Sequence, residues 1–166
     1  ESADLEEAWI FVRGKTKEGE KITRWYEYGK NKSSEKATQL IPRKGLESFS
    51  DIDEISFYHL HPKDKFVRKM RVANTPSHND FLSSLYIQKV LNSIKNLRIN
   101  NYDFRIIAPI GIYKIKPPKK FDDKAIEAIV NYFEARLKYA AGFNELNDAL
   151  DVIRDGGFEV ELKKYE

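Results

Sequence analysis

The 166-residue chain contains no cysteine. That excludes a thiol nucleophile, a disulfide framework and any zinc site built on thiolates, while bearing only weakly on compartment. It also lacks any run of about 18 apolar residues, so no membrane-spanning helix is expected. The opening Glu1-Ser2-Ala3-Asp4 has neither the basic region nor the apolar stretch of a secretory signal. We therefore expect no signal peptide, a cytoplasmic location and, since the first residue is not Met, further residues upstream of Glu1. An excess of one charge is missing as well, with 29 basic residues against 26 acidic ones and a net charge of +3. Such a balance gives no whole-molecule field that points to nucleic acid or to a membrane surface, and any basic effect has to be local. There is no internal repeat and no low-complexity tract.

What is present suits one ordinary core with an appendage, since 41% of the residues are hydrophobic and 33% charged. Ala8 to Arg13 and Lys21 to Tyr28, joined by a polar turn at Lys17-Glu18-Gly19, predict a β-hairpin. Residues 29–50, rich in Lys, Ser, Gly and Pro, predict loop with a brief strand or turn around Leu40-Ile41. Ile55 to Leu60 predicts a strand, preceded by an acidic turn at Asp51 to Glu54 and stopped by Pro62. Thr75 or Ser77 can cap a helix whose apolar positions run from Phe81 and Leu82 through Leu85, Tyr86, Val90 and Ile94 to Leu97. Asp103 to Ala108 and Gly111 to Lys116 predict two strands split by Pro109. Beyond Pro117-Pro118, Ile126, Ile129, Tyr132, Phe133, Leu137 and Ala140 mark a helical stripe; Leu146, Leu150 and Ile153 mark another, ahead of a strand-like FEVEL. We expect a domain at 1–118 and a C-terminal helical extension at 119–166 that packs on it.

The three histidines, His59, His61 and His78, share one 20-residue window. Imidazole is the commonest neutral metal ligand, and a carboxylate supplies the hard oxygen that completes a zinc sphere. On a strand, His59 and His61 point to the same side, while Leu60 points to the other. Asp80 follows Ser77 by three residues and shares its helix start. His78 is turned about 100° from Ser77 on that helix and is expected at the surface or behind the ligands.

The string His59-x-His61-Pro62, followed by Pro76-Ser77-x-x-Asp80 at a helix start, resembles the JAMM motif of the JAB/MPN metalloenzymes. The resemblance covers roughly residues 7 to 116 in element order. It implies an α/β (α+β) fold of the cytidine deaminase-like type, with a mixed, curved sheet flanked by helices. It further implies Zn²⁺ on His59, His61 and Asp80, Ser77 as oxyanion stabiliser, and an upstream glutamate as general acid/base. Glu7, which stands 52 residues before His59 at the head of the apolar run ending in Gly14, fits that glutamate. Glu6 lies next to it, and a shift of one residue would exchange the two across the strand. The implied activity is metallo-isopeptidase or peptidase cleavage of an amide at the C-terminus of ubiquitin or a ubiquitin-like protein.

The chain departs from the family pattern in spacing. Between His61 and Asp80 lie 18 residues. That is an insertion of about eight, tolerable because loop closure grows slowly with length. Its stretch Lys63 to Val72 carries basic and apolar residues that could steer and anchor an acidic partner, or could be a solvated lid. A second basic run, Lys114, Lys116, Lys119 and Lys120, lacks the interleaved aromatics of a base-stacking surface and reads as solvated.

The chemistry also follows from the residue types alone. A three-ligand zinc with an open position activates water at neutral pH, a carboxylate carries the proton to the leaving amine, and a hydroxyl donates to the oxyanion. Each residue has a plainer reading. A pair of strand histidines is often structural, Glu7 can be a solvated strand-start carboxylate, and Ser77 with Asp80 can be a helix cap alone. A non-catalytic MPN-type interaction module and a nucleic-acid-associated JAB protein are the alternatives in other functional classes.

Overall fold

The structure, a computed structural model, describes residues 7–30, 43–61, 74–140 and 142–166. Strands β1 (Glu7–Thr16) and β2 (Lys21–Lys30) form the expected antiparallel hairpin. A single helical turn α1 (Arg43–Leu46) leads into β3 (Phe49–Leu60), and helix α2 (His78–Asn92) then crosses to a two-residue strand β4 (Arg98–Ile99). Next come β5 (Tyr102–Ala108), β6 (Gly111–Lys116), helices α3 (Asp123–Lys138) and α4 (Phe143–Asp155), and the last strand β7 (Glu159–Lys164).

The result is a mixed α/β fold built on a seven-stranded sheet in the order β2-β1-β3-β5-β6-β7, with β4 alongside β3. β3 runs parallel to β4 and β5, and every other pairing is antiparallel. A parallel pair needs a crossover, and the chain supplies α2 for it. Strand alternation sorts the sheet into two faces. Ala8, Ile10, Val12, Ile55, Phe57, Phe104, Ile106, Tyr113, Ile115 and Val160 are buried on one of them.

The segment after residue 118 joins that same core. β7 zips onto β6 with Val160 across from Ile115. Phe81 of α2 meets Phe133 of α3 and Phe158 edge-on, with ring centroids 5.2 and 5.3 Å apart. Among the described residues no helix is long and apolar enough to cross a membrane.

Several local expectations are corrected. The acidic stretch Asp51 to Glu54 is strand rather than turn, because ladders hold it on both sides: Lys15 and Gly14 pair with Asp51 and Ile52, which pair in turn with Arg98 and Ile99. Two register shifts in β1 accommodate it, between Arg13 and Gly14 and between Lys15 and Thr16. Gly14 is required there, since a Cβ would strike the carbonyl oxygen of Asp51. Residues 29–50 hold the end of β2, the start of β3 and the turn α1 with its buried Leu46, whereas Leu40-Ile41 lies outside the described residues. Helix α2 stops at Asn92, short of Leu97, and Asn96 takes a positive φ of 61° beyond it. On α3 the buried stripe is Ile126, Val130 and Phe133, and Tyr132 is 54% exposed.

Candidate metal centre

The site forms where the end of β3 meets the start of α2. His59 sits in a rung between Ala8 of β1 and Ile106 of β5, so ladders on both sides fix its backbone. His61 lies one residue past the strand, yet its N–H still donates to the carbonyl of Ile107 at 2.9 Å. The spacing of two therefore brings both imidazoles to the same side, with ring centroids 5.0 Å apart and planes at 89°.

Asp80 comes down from α2 onto this pair. Its Oδ1 is 2.9 Å from His59 Nδ1 and its Oδ2 is 3.0 Å from His61 Nε2. Ser77 is the helix N-cap: its Oγ accepts the Asp80 N–H at 3.2 Å, and its own N–H donates to Asp80 Oδ2 at 2.7 Å. This reciprocal capping box fixes the carboxylate and satisfies amides that the helix start leaves unpaired.

The cluster is dry. His59, His61 and Asp80 are 5%, 7% and 0% exposed. Burial by itself pushes the Asp80 carboxyl up, but the charge of His61, hydrogen bonds to His59 and His61 and the charge of His59 outweigh it. The carboxyl is thereby held well below the usual carboxylate range and stays ionised.

The three residues form a buried group able to hold a metal ion, with their ligand atoms all within 4.8 Å of one another. A tetrahedral zinc sphere with bonds of about 2.0–2.1 Å places neighbouring ligand atoms about 3.3 Å apart. The two Asp80 contacts, at 2.9 and 3.0 Å, run to different carboxylate oxygens and are hydrogen-bonded pairs rather than two edges of one such sphere. Two imidazoles and one carboxylate are also a donor set that zinc accepts, with room left for a fourth ligand.

Other candidates fall elsewhere. His78 turns toward α3, where its Nδ1 is 3.3 Å from Glu134 Oε1, and it takes no part in the cluster. Glu7 pairs with Leu60 through its backbone, and Ala8 pairs with His59, so strand parity puts position 8 rather than position 7 on the sheet face of the ligands. Glu6 and the basic stretch 63–72 lie outside the described residues. In the second basic run, Lys114 Nζ stands 4.0 Å from Asp103 Oδ2. Lys116 and Lys119 line a cavity of about 620 Å³ with Gln88, Asn92, Tyr102 and Gly157, and none of the three ligands borders it.

No protein-family model, no curated protein and no solved structure matches this chain.

Two supports of the site carried no motif. Asn74 ties the approach to α2 onto the β5–β6 hairpin, and Tyr113 holds Asn74.

Proposed function

We propose that the chain is a zinc-dependent hydrolase of JAB/MPN type that cleaves an isopeptide or peptide bond at the C-terminus of ubiquitin or a ubiquitin-like protein. The observation that carries the metal part is the buried, ionised Asp80 between two imidazoles on one strand end. The substrate class rests on the resemblance of His59-x-His61-Pro62 and Ser77-x-x-Asp80 to the JAMM motif.

When bound, the metal supplies Lewis acidity at the scissile carbonyl and lowers the pKa of water to near 7. The chain's residues do the rest. Asp80, ionised and fixed by the Ser77 N–H, offsets part of the divalent charge. Ser77 Oγ accepts from the helix backbone, which leaves its own hydroxyl proton free to donate to an oxyanion. Comparable oxyanion donors contribute roughly 2.7 to 4 kcal/mol. A carboxylate at the head of β1 would take the water proton and return it to the leaving amine: Glu7 by the resemblance, or Glu6, which stands two positions before the Ala8 that pairs with His59.

The test is cleavage of a ubiquitin-like fusion protein with and without chelator, for wild type, Glu7→Gln and Glu6→Gln. Chelator should abolish cleavage, and one of the two variants should lose it while keeping its metal. Chelator-insensitive cleavage, or none of any fusion by the zinc-loaded protein, contradicts the proposal.

A further inference from the structure

His61 and Asp80 are separated by 18 residues, yet the chain leading to each is fastened to one hairpin. On the histidine side, the His61 N–H donates to the Ile107 carbonyl of β5 at 2.9 Å. On the aspartate side the fastening is Asn74, three residues before Ser77. Asn74 Oδ1 accepts the Ile110 N–H from the β5–β6 turn at 3.1 Å. The Asn74 carbonyl accepts the Tyr113 hydroxyl of β6 at 2.8 Å. Tyr113 is only 2% exposed, and Thr75, next along the chain, is fully buried.

A ligand delivered by a helix start can miss its place in two ways. Its carboxylate can rotate, and the helix can slide along its own axis. The Ser77 N–H, at 2.7 Å from Asp80 Oδ2, blocks rotation. Sliding is blocked upstream, where Asn74 spends its side-chain oxygen and its carbonyl on the hairpin that also holds His61. One hairpin thus sets the separation between the carboxylate and the imidazoles.

We propose that Asn74 and Tyr113 are positioning residues of the metal centre, a clamp that holds Asp80 at ligand distance from His59 and His61. The inference rests on the reading that these three residues hold a metal. It requires the clamp to be felt in metal affinity and geometry, beyond its part in general stability. Partners behind the ligands typically change metal affinity 10- to 100-fold.

The experiment measures zinc affinity by competition with a chromophoric chelator, and the visible absorption of the Co²⁺-loaded protein. The variants are Asn74→Ala, Asn74→Asp and Tyr113→Phe, with Ile153→Val as a core control in α4. Asn74→Ala and Tyr113→Phe should each weaken zinc binding by about 10- to 100-fold and alter the Co²⁺ spectrum. Asn74→Asp, which keeps an acceptor for the Ile110 N–H, should recover most of the affinity. Ile153→Val should lower Tm and leave both metal readouts unchanged. Wild-type affinity and an unaltered spectrum in both clamp variants overturn the clamp, as does an equal affinity loss in Ile153→Val. A wild-type protein that takes up neither ion overturns the metal reading itself, and the clamp with it.

Discussion

Asp80 reaches both histidines at once, its Oδ1 at 2.9 Å from His59 Nδ1 and its Oδ2 at 3.0 Å from His61 Nε2. One carboxylate thus bridges two imidazoles in a buried site. Asp80→Asn keeps the volume and removes the charge. It should weaken zinc binding by more than about 100-fold, the upper end of what partners behind a ligand contribute. Calorimetric titration of the metal-free protein checks this, and a loss of less than about tenfold would mean that Asp80 is not a ligand.

Ser77 has two separable roles. As N-cap it stabilises α2, and Ser77→Ala should cost about 1 kcal/mol in unfolding experiments. Glycine at an N-cap costs only a few tenths of a kcal/mol. Ser77→Gly should therefore be nearly as stable as wild type and still lose about 10²- to 10³-fold in kcat if its hydroxyl serves the oxyanion. Activity within threefold of wild type in Ser77→Gly would reduce the residue to a cap.

His78 should prove dispensable for the metal. Its pairing with Glu134 is partly exposed, at 32% and 53% for the two side chains, and such pairs contribute about 0–1 kcal/mol. His78→Ala should leave zinc affinity unchanged, while His61→Ala abolishes binding. A comparable loss in both would assign His78 to the site.

Burial pushes the Tyr113 phenol up to about 12, against a smaller opposing pull from Arg154. The unfolded chain releases that proton near pH 10 and the folded one about two units higher, so the unfolded state binds fewer protons in between. The contribution of the neutral phenol is fully present below pH 10 and lost as pH rises toward 12. It amounts to about 2–3 kcal/mol. Denaturant unfolding of wild type and Tyr113→Phe between pH 8 and 12 should show the difference between them shrinking or reversing over that window; parallel curves would refute it.

The meeting of His59, His61 and Asp80 was legible in the sequence because two strong local rules coincide there. A spacing of two puts His59 and His61 on one side of a strand, and a spacing of three puts Ser77 and Asp80 in a capping box. The long strands and helices were legible through their periodicity. Elsewhere the deciding contacts are remote. Asp51 to Glu54 look like a turn in isolation, and only the ladders to β1 and β4 make them strand. The turn α1 is too short to show a period. Tyr132 belonged to an apolar stripe by spacing but points to solvent, while Val130 took the buried place. The Asn74 clamp joins residues 36 and 39 positions apart, and no local pattern encodes it.

The most direct test of the account is the metal content of protein purified without chelator, measured for wild type, His61→Ala and Asp80→Asn. About one zinc per wild-type chain is expected, as three protein ligands imply, and almost none in either variant. Wild-type protein that is free of zinc and fails to take it up when offered, or zinc retained equally in all three proteins, would contradict it.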